Sequence, residues 1–412
     1  MNQEIIQMNQ EIIPIFFSVD EKYVPYVSVA IKSLVENASH NRQYRVYILH
    51  AGLDAETLLK IEALSRKNVQ IKAVEINRKT QETVSGAWKE DWATYFAPAA
   101  YFRLFLTDIF PEYDKGIYLD SDVVVLDDIA KLYDIELGDN LIGGCVQPIN
   151  IAPASPAFVP GDENLWSQTK DVFRDYFDLA VGVPHEIYVN SGVLLMNLKA
   201  LREEQFSNRF LELFSKYNFV SAAPDQDYFN TICYGRVKIL DRAWNTMPVR
   251  GGGLYYKEPK IIHYNLFSKP WHYDAVPYGE IFWDYMAASP FEQKILLEKA
   301  TFTPERQQKD LKRFSVMVRR GAEMVKADGT FGKILGVRKL EHPGVPALLG
   351  SIGVSGAEPE MVKVRLGKSS AEPETAEIEV NGVKPEVAEM EADENGGNCK
   401  ENHDERNDEW EK

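Results

Sequence analysis

The sequence predicts an α/β layer fold over residues 12–283, because strand-like and helix-like segments alternate throughout that stretch. Short apolar runs of strand length are separated by segments whose apolar residues recur with a helical period. Of the 412 residues, 45% are hydrophobic and 26% are charged, a mixture that can bury a large core. We therefore expect strands layered between helices.

The predicted elements follow one another along the chain. The first strand is expected at 13–19, and the helix after it carries Pro25 in its first turn. A second helix is expected at 54–67, capped by the side chain of Asp54. The other predicted strands lie at 45–50, 69–76, 115–120, 140–147, 193–198, 236–240 and 260–264.

Charge and cysteine content exclude some functions and indicate a compartment. The formal net charge of −16 argues against a general nucleic-acid binder, which usually has a basic face. The three cysteines cannot build a disulfide framework and suit a reducing compartment. The amino end lacks the apolar run of a signal peptide. We expect a cytoplasmic protein, with peripheral contact at the inner face of the cell membrane left open.

Composition divides the chain into four predicted parts. Residues 1–12 form a flexible N-terminus, and residues 13–290 form the α/β domain. Residues 291–344 form a helical extension, in which 301–344 has ten basic against five acidic residues. Residues 345–412 carry a net charge of −10 with few aromatic residues, which is typical of a disordered tail. The extension is expected either to touch an anionic membrane or to pack on the core.

The string GIYLDSDVVV places two carboxylates, Asp120 and Asp122, directly after an apolar strand. Open α/β sheets bind their ligands at the carboxyl ends of strands. Two acids this close repel each other unless a cation or a proton lies between them. A divalent metal that also contacts a diphosphate would resolve the repulsion. The alternative is a strand-end turn with solvated aspartates.

Three further strings place polar side chains at predicted element ends. His263 ends an apolar strand and could be a third metal ligand, or a hydrogen-bonded core histidine. Lys269 follows it and could neutralise phosphate oxygens. The NSG string from Asn190 precedes a predicted buried strand, and the PDQD string with Asp225 begins a predicted helix, where capping is the simpler interpretation.

Taken in order, six strings resemble those of the family 8 retaining glycosyltransferases. They are FSVDEKY, AYFRL, YLDSDVVV, NSGVLLMNL, PDQDYFN and HYNLFSKPWH. The chain looks most like the bacterial lipopolysaccharide galactosyl- and glucosyltransferases, and glycogenin is a more distant relative. The resemblance covers about two thirds of the chain. It implies a Rossmann-like GT-A fold, a UDP-sugar donor, bound Mn²⁺ or Mg²⁺, and retention of the anomeric configuration.

By position, the resemblance implies roles for eleven side chains. The implied metal ligands are Asp120, Asp122 and His263. The implied contacts to uridine and the diphosphate are Ser18, Asp20, Lys22 and Lys269. The implied residues around the donor sugar are Arg103, Asn190, Asp225 and Gln226. Directional acceptors and donors of these types suit a sugar ring.

The reaction expected from this resemblance is substitution on one face of the sugar. Gln226 falls below the anomeric carbon, and its neutral amide is a poor nucleophile. We expect it to stabilise positive charge on the ring. Asp225 is expected to be ionised, its charge held by the helix N-terminus.

The chain departs from the family pattern at positions that face the acceptor in the family. Gln147 stands where an acid is expected, the loop 148–185 is long, and Leu266 and Phe267 replace smaller residues. The resemblance implies transfer of galactose or glucose from UDP-galactose or UDP-glucose to a glycan or glycolipid such as lipopolysaccharide, and these departures leave the acceptor open. The alternatives are a haloacid-dehalogenase-type phosphatase and a non-catalytic sugar-nucleotide binder.

Overall fold

The computed structural model describes residues 11–87, 98–153, 155, 158, 163–217, 219, 221–249 and 256–335. All of them belong to one compact unit, Met1–Gly356. A second unit, Ala357–Lys412, lies outside the described residues. The predictions for residues 1–10 and for the acidic tail therefore fall outside the described part of the chain.

Nine strands and thirteen α-helices are defined in the described residues. The strands are β1 Ile12–Ser18, β2 Gln43–His50, β3 Val69–Glu75, β4 Gly116–Leu119, β5 Val123–Val125, β6 Ile142–Val146, β7 Val189–Met196, β8 Val237–Ile239 and β9 Ile261–His263.

The helices are α1 Val24–Asn37, α2 Ala55–Glu62, α3 Arg78–Ala87, α4 Leu106–Ile109, α5 Ala130–Tyr133, α6 Glu163–Asp175, α7 Leu198–Glu203, α8 Phe206–Tyr217, α9 Pro224–Ile232, α10 Gly279–Met286, α11 Glu292–Ala300, α12 Pro304–Lys326 and α13 Phe331–Leu335. Two 3₁₀-helices span Pro98–Phe105 and Arg242–Asn245, and a π-helix spans Tyr176–Val181.

Seven strands form a mostly parallel sheet in the order β3-β2-β1-β4-β7-β6-β8. Alternate side chains of β1 enter different apolar clusters: Ile15 and Phe17 lie on one face and Phe16 on the other. A strand buried on both faces is expected to be continuously apolar, as this one is. Helices cover both faces, and this arrangement confirms the predicted α/β layers.

One reversal of strand direction brings two polar strings together. β1 and β4 are parallel, whereas β7 is antiparallel to β4. The beginning of β7 therefore lies at the same sheet edge as the ends of β1 and β4. The NSG string lies inside β7, not ahead of it as we predicted, because β7 extends four residues further toward the amino end.

A second, two-stranded sheet pairs β5 with β9. Its register places Val123 opposite His263, so the residue that ends β9 lies beside the two acids that precede β5. The helical extension packs on the core near this sheet. Phe314 and Val318 of α12 are buried in the cluster that contains Tyr264, so packing on the core is confirmed for this helix.

Most predicted elements are confirmed, but the end of one helix and the content of one loop differ from the prediction. The helix expected to reach residue 67 ends at Glu62, although Asp54 caps it by accepting from the Thr57 amide at 2.9 Å. The predicted long loop 148–185 contains α6 and the π-helix. None of the helices in the described residues combines the length and the apolar character that a membrane crossing requires.

Candidate active site

Asp120, Asp122 and His263 meet at the edge where β4 and β9 end. Nε2 of His263 lies 3.2 Å from Oδ1 of Asp122 and 3.7 Å from Oδ2 of Asp120. His263 is almost fully buried. The predicted ligand set is therefore brought together, with one ligand atom of each residue facing the others.

Neighbouring amides fix the tautomer of His263. Its Nδ1 lies 3.0 Å from Oδ1 of Asn245, and Nδ2 of Asn245 donates to Oδ1 of Asn190 at 2.9 Å. The Asn245 amide is thus oriented with its oxygen toward the imidazole, so Nδ1 carries the proton. The lone pair on Nε2 then faces the carboxylates, which is the arrangement found in metal-ligating histidines.

The residues present fit a divalent cation. Oδ1 of Asp122 is buried and has no hydrogen-bond partner among the described residues. The Nε2 lone pair of His263 and Oδ1 of Asp122 repel each other across 3.2 Å unless a cation lies between them. Carboxylate and imidazole ligands together suit Mn²⁺ and, with more oxygen, Mg²⁺. The core histidine and solvated-turn interpretations do not account for the unsatisfied buried oxygen.

Gly192 in β7 makes this close approach of Asp120 and His263 sterically feasible. A Cβ at this position would lie 2.5 Å from Oδ2 of Asp120 and 3.0 Å from Oδ1 of Asn190. The backbone oxygen of Gly192 also accepts from the Asp120 amide at 2.7 Å. A glycine inside an apolar strand often marks such a contact, and this signal was present in the sequence.

Lys269 forms a buried ion pair with Asp122 and donates to the Tyr264 carbonyl at 2.7 Å. Burial alone would raise the pKa of Asp122, but the charge of the Lys269 ammonium lowers it below the ordinary value. The Lys269 ammonium therefore lies beside the two aspartates. This is where the resemblance implied its contact with the diphosphate.

Arg103 bridges the acid cluster to helix α9. Its Nη2 lies 2.7 Å from Oδ1 of Asp120, and its Nε lies 3.3 Å from Oδ2 of Asp225. Burial raises the pKa of Asp225 above its ordinary value, although the Arg103 charge opposes the shift. The Arg103 charge is the largest effect that opposes the shift, and a hydrogen bond from the backbone amide of Asp225, at the predicted helix N-terminus, adds to it. Within the part of the chain that the structure describes, α9 has no side-chain cap.

The amide of Gln226 is held in one orientation. Its Oε1 accepts from Nδ2 of Asn190 at 3.1 Å and from the Ser191 amide at 3.0 Å, and its Nε2 donates to the Tyr188 hydroxyl at 3.1 Å. Tyr188 donates its own proton to Asp227 at 2.6 Å, so it can only accept from Gln226. Asp227 thereby orients Gln226 through Tyr188.

Asp227 is fully buried and accepts three hydroxyl donors, from Tyr176, Tyr188 and Ser221. Burial raises its pKa from 3.8 to about 6 despite these donors, and Asp225 nearby adds to the shift. In the sequence, Asp227 is recognisable only as one acid of the PDQD string, without a separate signal for its role. Neither its partners nor Tyr188 could be found from local spacing.

The raised pKa of Asp227 predicts a pH-dependent stability. The folded protein binds a proton here more readily than the unfolded chain between pH 3.8 and about 6, so the free energy of unfolding falls as pH rises through that interval. The loss is at most about 3 kcal/mol. Asp227→Asn should remove this component, as measured by urea denaturation at pH 4.5 and pH 7. An unchanged difference between the two pH values would contradict the assignment.

The predicted nucleotide contacts lie near the same sheet edge. Ser18 ends β1, and its carbonyl accepts from the Ser121 hydroxyl at 3.1 Å. Oδ1 of Asp20 accepts from the Tyr23 amide at 3.0 Å, while Lys22 is exposed in the turn between them. The Tyr23 ring, which sequence reasoning did not single out, lies 5.8 Å from the Lys269 ammonium. It is an aromatic surface beside the acid cluster.

A family model for glycosyl transferase family 8 matches residues 14–275, well over half of the chain. The chain belongs to glycosyl transferase family 8. It is therefore a glycosyltransferase, and the phosphatase alternative is set aside. The family explains why six separate strings converge on one sheet edge.

Individual relatives are distant. A putative glycosyltransferase of Haemophilus influenzae is 26% identical over 268 residues, which cover 63% of this chain and 72% of the relative. A lipopolysaccharide 1,2-glucosyltransferase of Escherichia coli K12 is 26% identical, with 66% of this chain and 77% of the relative covered. The galactosyltransferase LgtC, solved with donor and acceptor sugar analogs, has a TM-score of 0.52 at 26% identity. That match covers 72% of this chain and all of LgtC, and the shared fold is the GT-A fold.

Proposed function

We propose that this family 8 enzyme transfers galactose or glucose from a UDP-sugar to a hydroxyl of a glycan or glycolipid, with retention and with bound Mn²⁺. Lipopolysaccharide is the acceptor class suggested by the relatives. The observation that carries the proposal is the buried Oδ1 of Asp122, which faces His263 and Asp120 and has no hydrogen-bond partner within the described ranges. A cation at this point would face a pyrophosphate at the ligand-binding edge of the sheet.

The donor would be held by groups of three kinds. Asp120, Asp122 and His263 would hold the metal, and when bound the metal would neutralise charge on the departing UDP. Lys269 would share its charge between Asp122 and a phosphate oxygen. Arg103 and Asp225 would bind sugar hydroxyls, because each retains donor or acceptor capacity beyond the ion pair that joins them.

Retention would follow from substitution on one face of the sugar. The bond from the anomeric carbon to the UDP oxygen breaks, a bond to the acceptor oxygen forms on the same face, and the acceptor proton passes to a diphosphate oxygen. The Oε1 of Gln226 already accepts two hydrogen bonds, which weakens it further as a nucleophile. Its remaining role is to present a negative dipole to the positive charge that develops on the ring.

The proposal is tested by UDP release from a panel of UDP-sugars, with Mn²⁺ and without an acceptor. Slow hydrolysis of UDP-galactose or UDP-glucose, absent when EDTA is added, is the expected result. A control panel with GDP-sugars should show no release. If no UDP-sugar is hydrolysed, or if chelation has no effect, the proposed donor or metal is wrong.

The exposed side of α12 supports a peripheral contact with anionic membrane. Lys309, Lys312 and Arg319 are exposed there, opposite the buried face of the helix. Reversing these three charges to glutamate should weaken binding to anionic vesicles by about a hundredfold, since each basic residue near the surface contributes about 1 kcal/mol. Flotation measures this. The matched control reverses the exposed Lys67, Lys72 and Lys79, and equal losses in both variants would contradict a specific surface.

A further inference from the structure

The turn that begins at Lys269 is a hydrogen-bonded unit. The backbone amides of His272 and Tyr273 donate to the Lys269 carbonyl at 3.0 and 2.9 Å. The Lys269 ammonium reaches from the start of this turn to Asp122, and the side chains at its end reach the helical extension. A contact that fixes His272 therefore also restricts the backbone from which the ammonium projects.

The side chain of His272 makes two contacts with the helical extension. Its Nε2 lies 2.8 Å from Oε1 of Glu298 in α11. Its ring stacks on that of Phe302, with the centroids 4.3 Å apart and the ring planes 7° apart. Arg306 of α12 pairs with the same carboxylate oxygen of Glu298. These four residues are called here the His272 cluster.

Glu298 is ionised within the His272 cluster. The hydrogen bond from His272 is the largest effect on the pKa of this carboxyl, which falls from 4.5 to about 2 although burial opposes the shift. Nε2 of His272 therefore donates to a charged acceptor, and such hydrogen bonds are roughly twice as strong as neutral ones. The guanidinium of Arg306 also lies 5.1 Å from the Phe302 ring centroid, so it contacts both partners of the histidine.

Further contacts hold the same stretch of chain against the extension. Nζ of Lys299 donates to the Pro270 carbonyl at 3.3 Å and pairs with Oδ1 of Asp274 at 2.7 Å. The Tyr273 hydroxyl donates to Oδ2 of Asp310 in α12 at 2.9 Å. Residues on both sides of His272 are thus bound to α11 and α12.

Trp271 anchors the turn to the α/β domain. Its side chain is almost fully buried, and its ring stacks on that of Tyr26 in α1, with the centroids 4.0 Å apart. The Lys269 ammonium lies 5.4 Å from the Trp271 ring centroid. Consecutive residues of one turn therefore face different partners, since Trp271 packs on α1 and His272 on the extension.

We propose that His272 is a positioning residue for Lys269, and that the helical extension thereby contributes to binding of the donor's diphosphate. The inference rests on the proposed function, because it takes Lys269 as a diphosphate contact. Loss of the His272 cluster would release the end of the turn, and the ammonium would be less well preorganised for a phosphate oxygen. Contacts to the nucleoside would not change.

The test compares two probes of the full-length protein in the presence of Mn²⁺, UDP and uridine, which lacks the diphosphate. By NMR titration, the unchanged protein should bind UDP more tightly than uridine. His272→Ala should weaken UDP binding by about tenfold, the effect of one lost hydrogen bond to a charged group, and should leave uridine binding unchanged. Glu298→Ala should reproduce this selective loss, and Glu298→Gln should retain most of the affinity for UDP.

A double variant shows whether His272 acts through Lys269. When Lys269→Ala is already present, adding His272→Ala should weaken UDP binding by less than about twofold, because coupled positions give non-additive effects. Glu323→Ala is the matched control, since Glu323 belongs to ion pairs with Arg319 and Arg320 on the exposed side of the same helix α12. Its affinities for both probes should equal those of the unchanged protein.

A structural role alone would lower the affinities for UDP and uridine together. Equal losses for the two probes in His272→Ala, additive losses in the double variant, or a loss in Glu323→Ala would overturn the proposal. If the unchanged protein binds UDP no more tightly than uridine, the donor assignment of the proposed function fails. If the unchanged protein prefers UDP and His272→Ala keeps the full preference, only the positioning role fails.

Discussion

Asp122→Asn should lower turnover by about a thousandfold or more at saturating Mn²⁺. The substitution removes the carboxylate whose Oδ1 is unpartnered among the described residues and whose Oδ2 pairs with Lys269. Both the proposed metal site and Lys269 would then lose a negative partner, and with them several kcal/mol of the proposed leaving-group stabilisation. Initial rates of hexose transfer or of UDP release measure the effect.

Breaking a buried ion pair can also destabilise the fold, so a second variant separates the two effects. His263→Gln leaves the Lys269–Asp122 pair in place and should cause a comparable loss of turnover. Asp128→Asn is the matched control, since Asp128 is a half-buried acid of the same segment that accepts from the Tyr44 hydroxyl. More than a tenth of the original turnover in Asp122→Asn would contradict a metal-ligand role.

Asp225→Asn should lower turnover by roughly a hundred- to a thousandfold, the range expected for loss of a preorganised electrostatic contact. The change leaves Arg103 with one carboxylate partner instead of two, and it weakens an acceptor for sugar hydroxyls. Gln226→Ala should be milder, at about ten- to a hundredfold, because a neutral polar contact is lost.

Product stereochemistry provides the decisive readout for these two variants. Both should still form α-linked product from an α-linked donor, as determined by NMR of the isolated product. Inversion in either variant, or a stable hexosyl adduct on Asp225 or Gln226 found by intact-protein mass spectrometry, would replace same-face substitution with a different mechanism. A larger loss in Gln226→Ala than in Asp225→Asn would reverse the assigned roles.

Local sequence signals were sufficient for the sheet and for part of the site. An apolar strand that runs into Asp120 and Asp122 predicts their position, because the carboxyl ends of parallel strands bind ligands. The pairing of β5 with β9 could not be read from spacing, since it depends on tertiary contacts. His263 was therefore assigned by resemblance, and its orientation by Asn245 emerged only from the structure.

The other differences between the predicted and the observed site also come from tertiary contacts. Asp225 lies in the first turn of α9, so the sequence predicted that the helix N-terminus stabilises its negative charge. The structure adds the buried guanidinium of Arg103, which comes from a separate segment of the chain and lies 3.3 Å from Oδ2 of Asp225. Tyr188 and Asp227 likewise act on Gln226 through contacts between β7 and α9. Local periodicity carries no information on such contacts.

The distance along the chain between Lys269 and Asp122 has a consequence for biosynthesis. These partners are 147 positions apart, and β5 obtains its partner strand only from residues 261–263. A nascent polypeptide on the ribosome therefore displays Asp122 without its ammonium partner until residue 269 has been synthesised. The ion pair between Asp122 and Lys269, and the strand pairing beside it, are thus among the last contacts at this sheet edge that the growing chain can form.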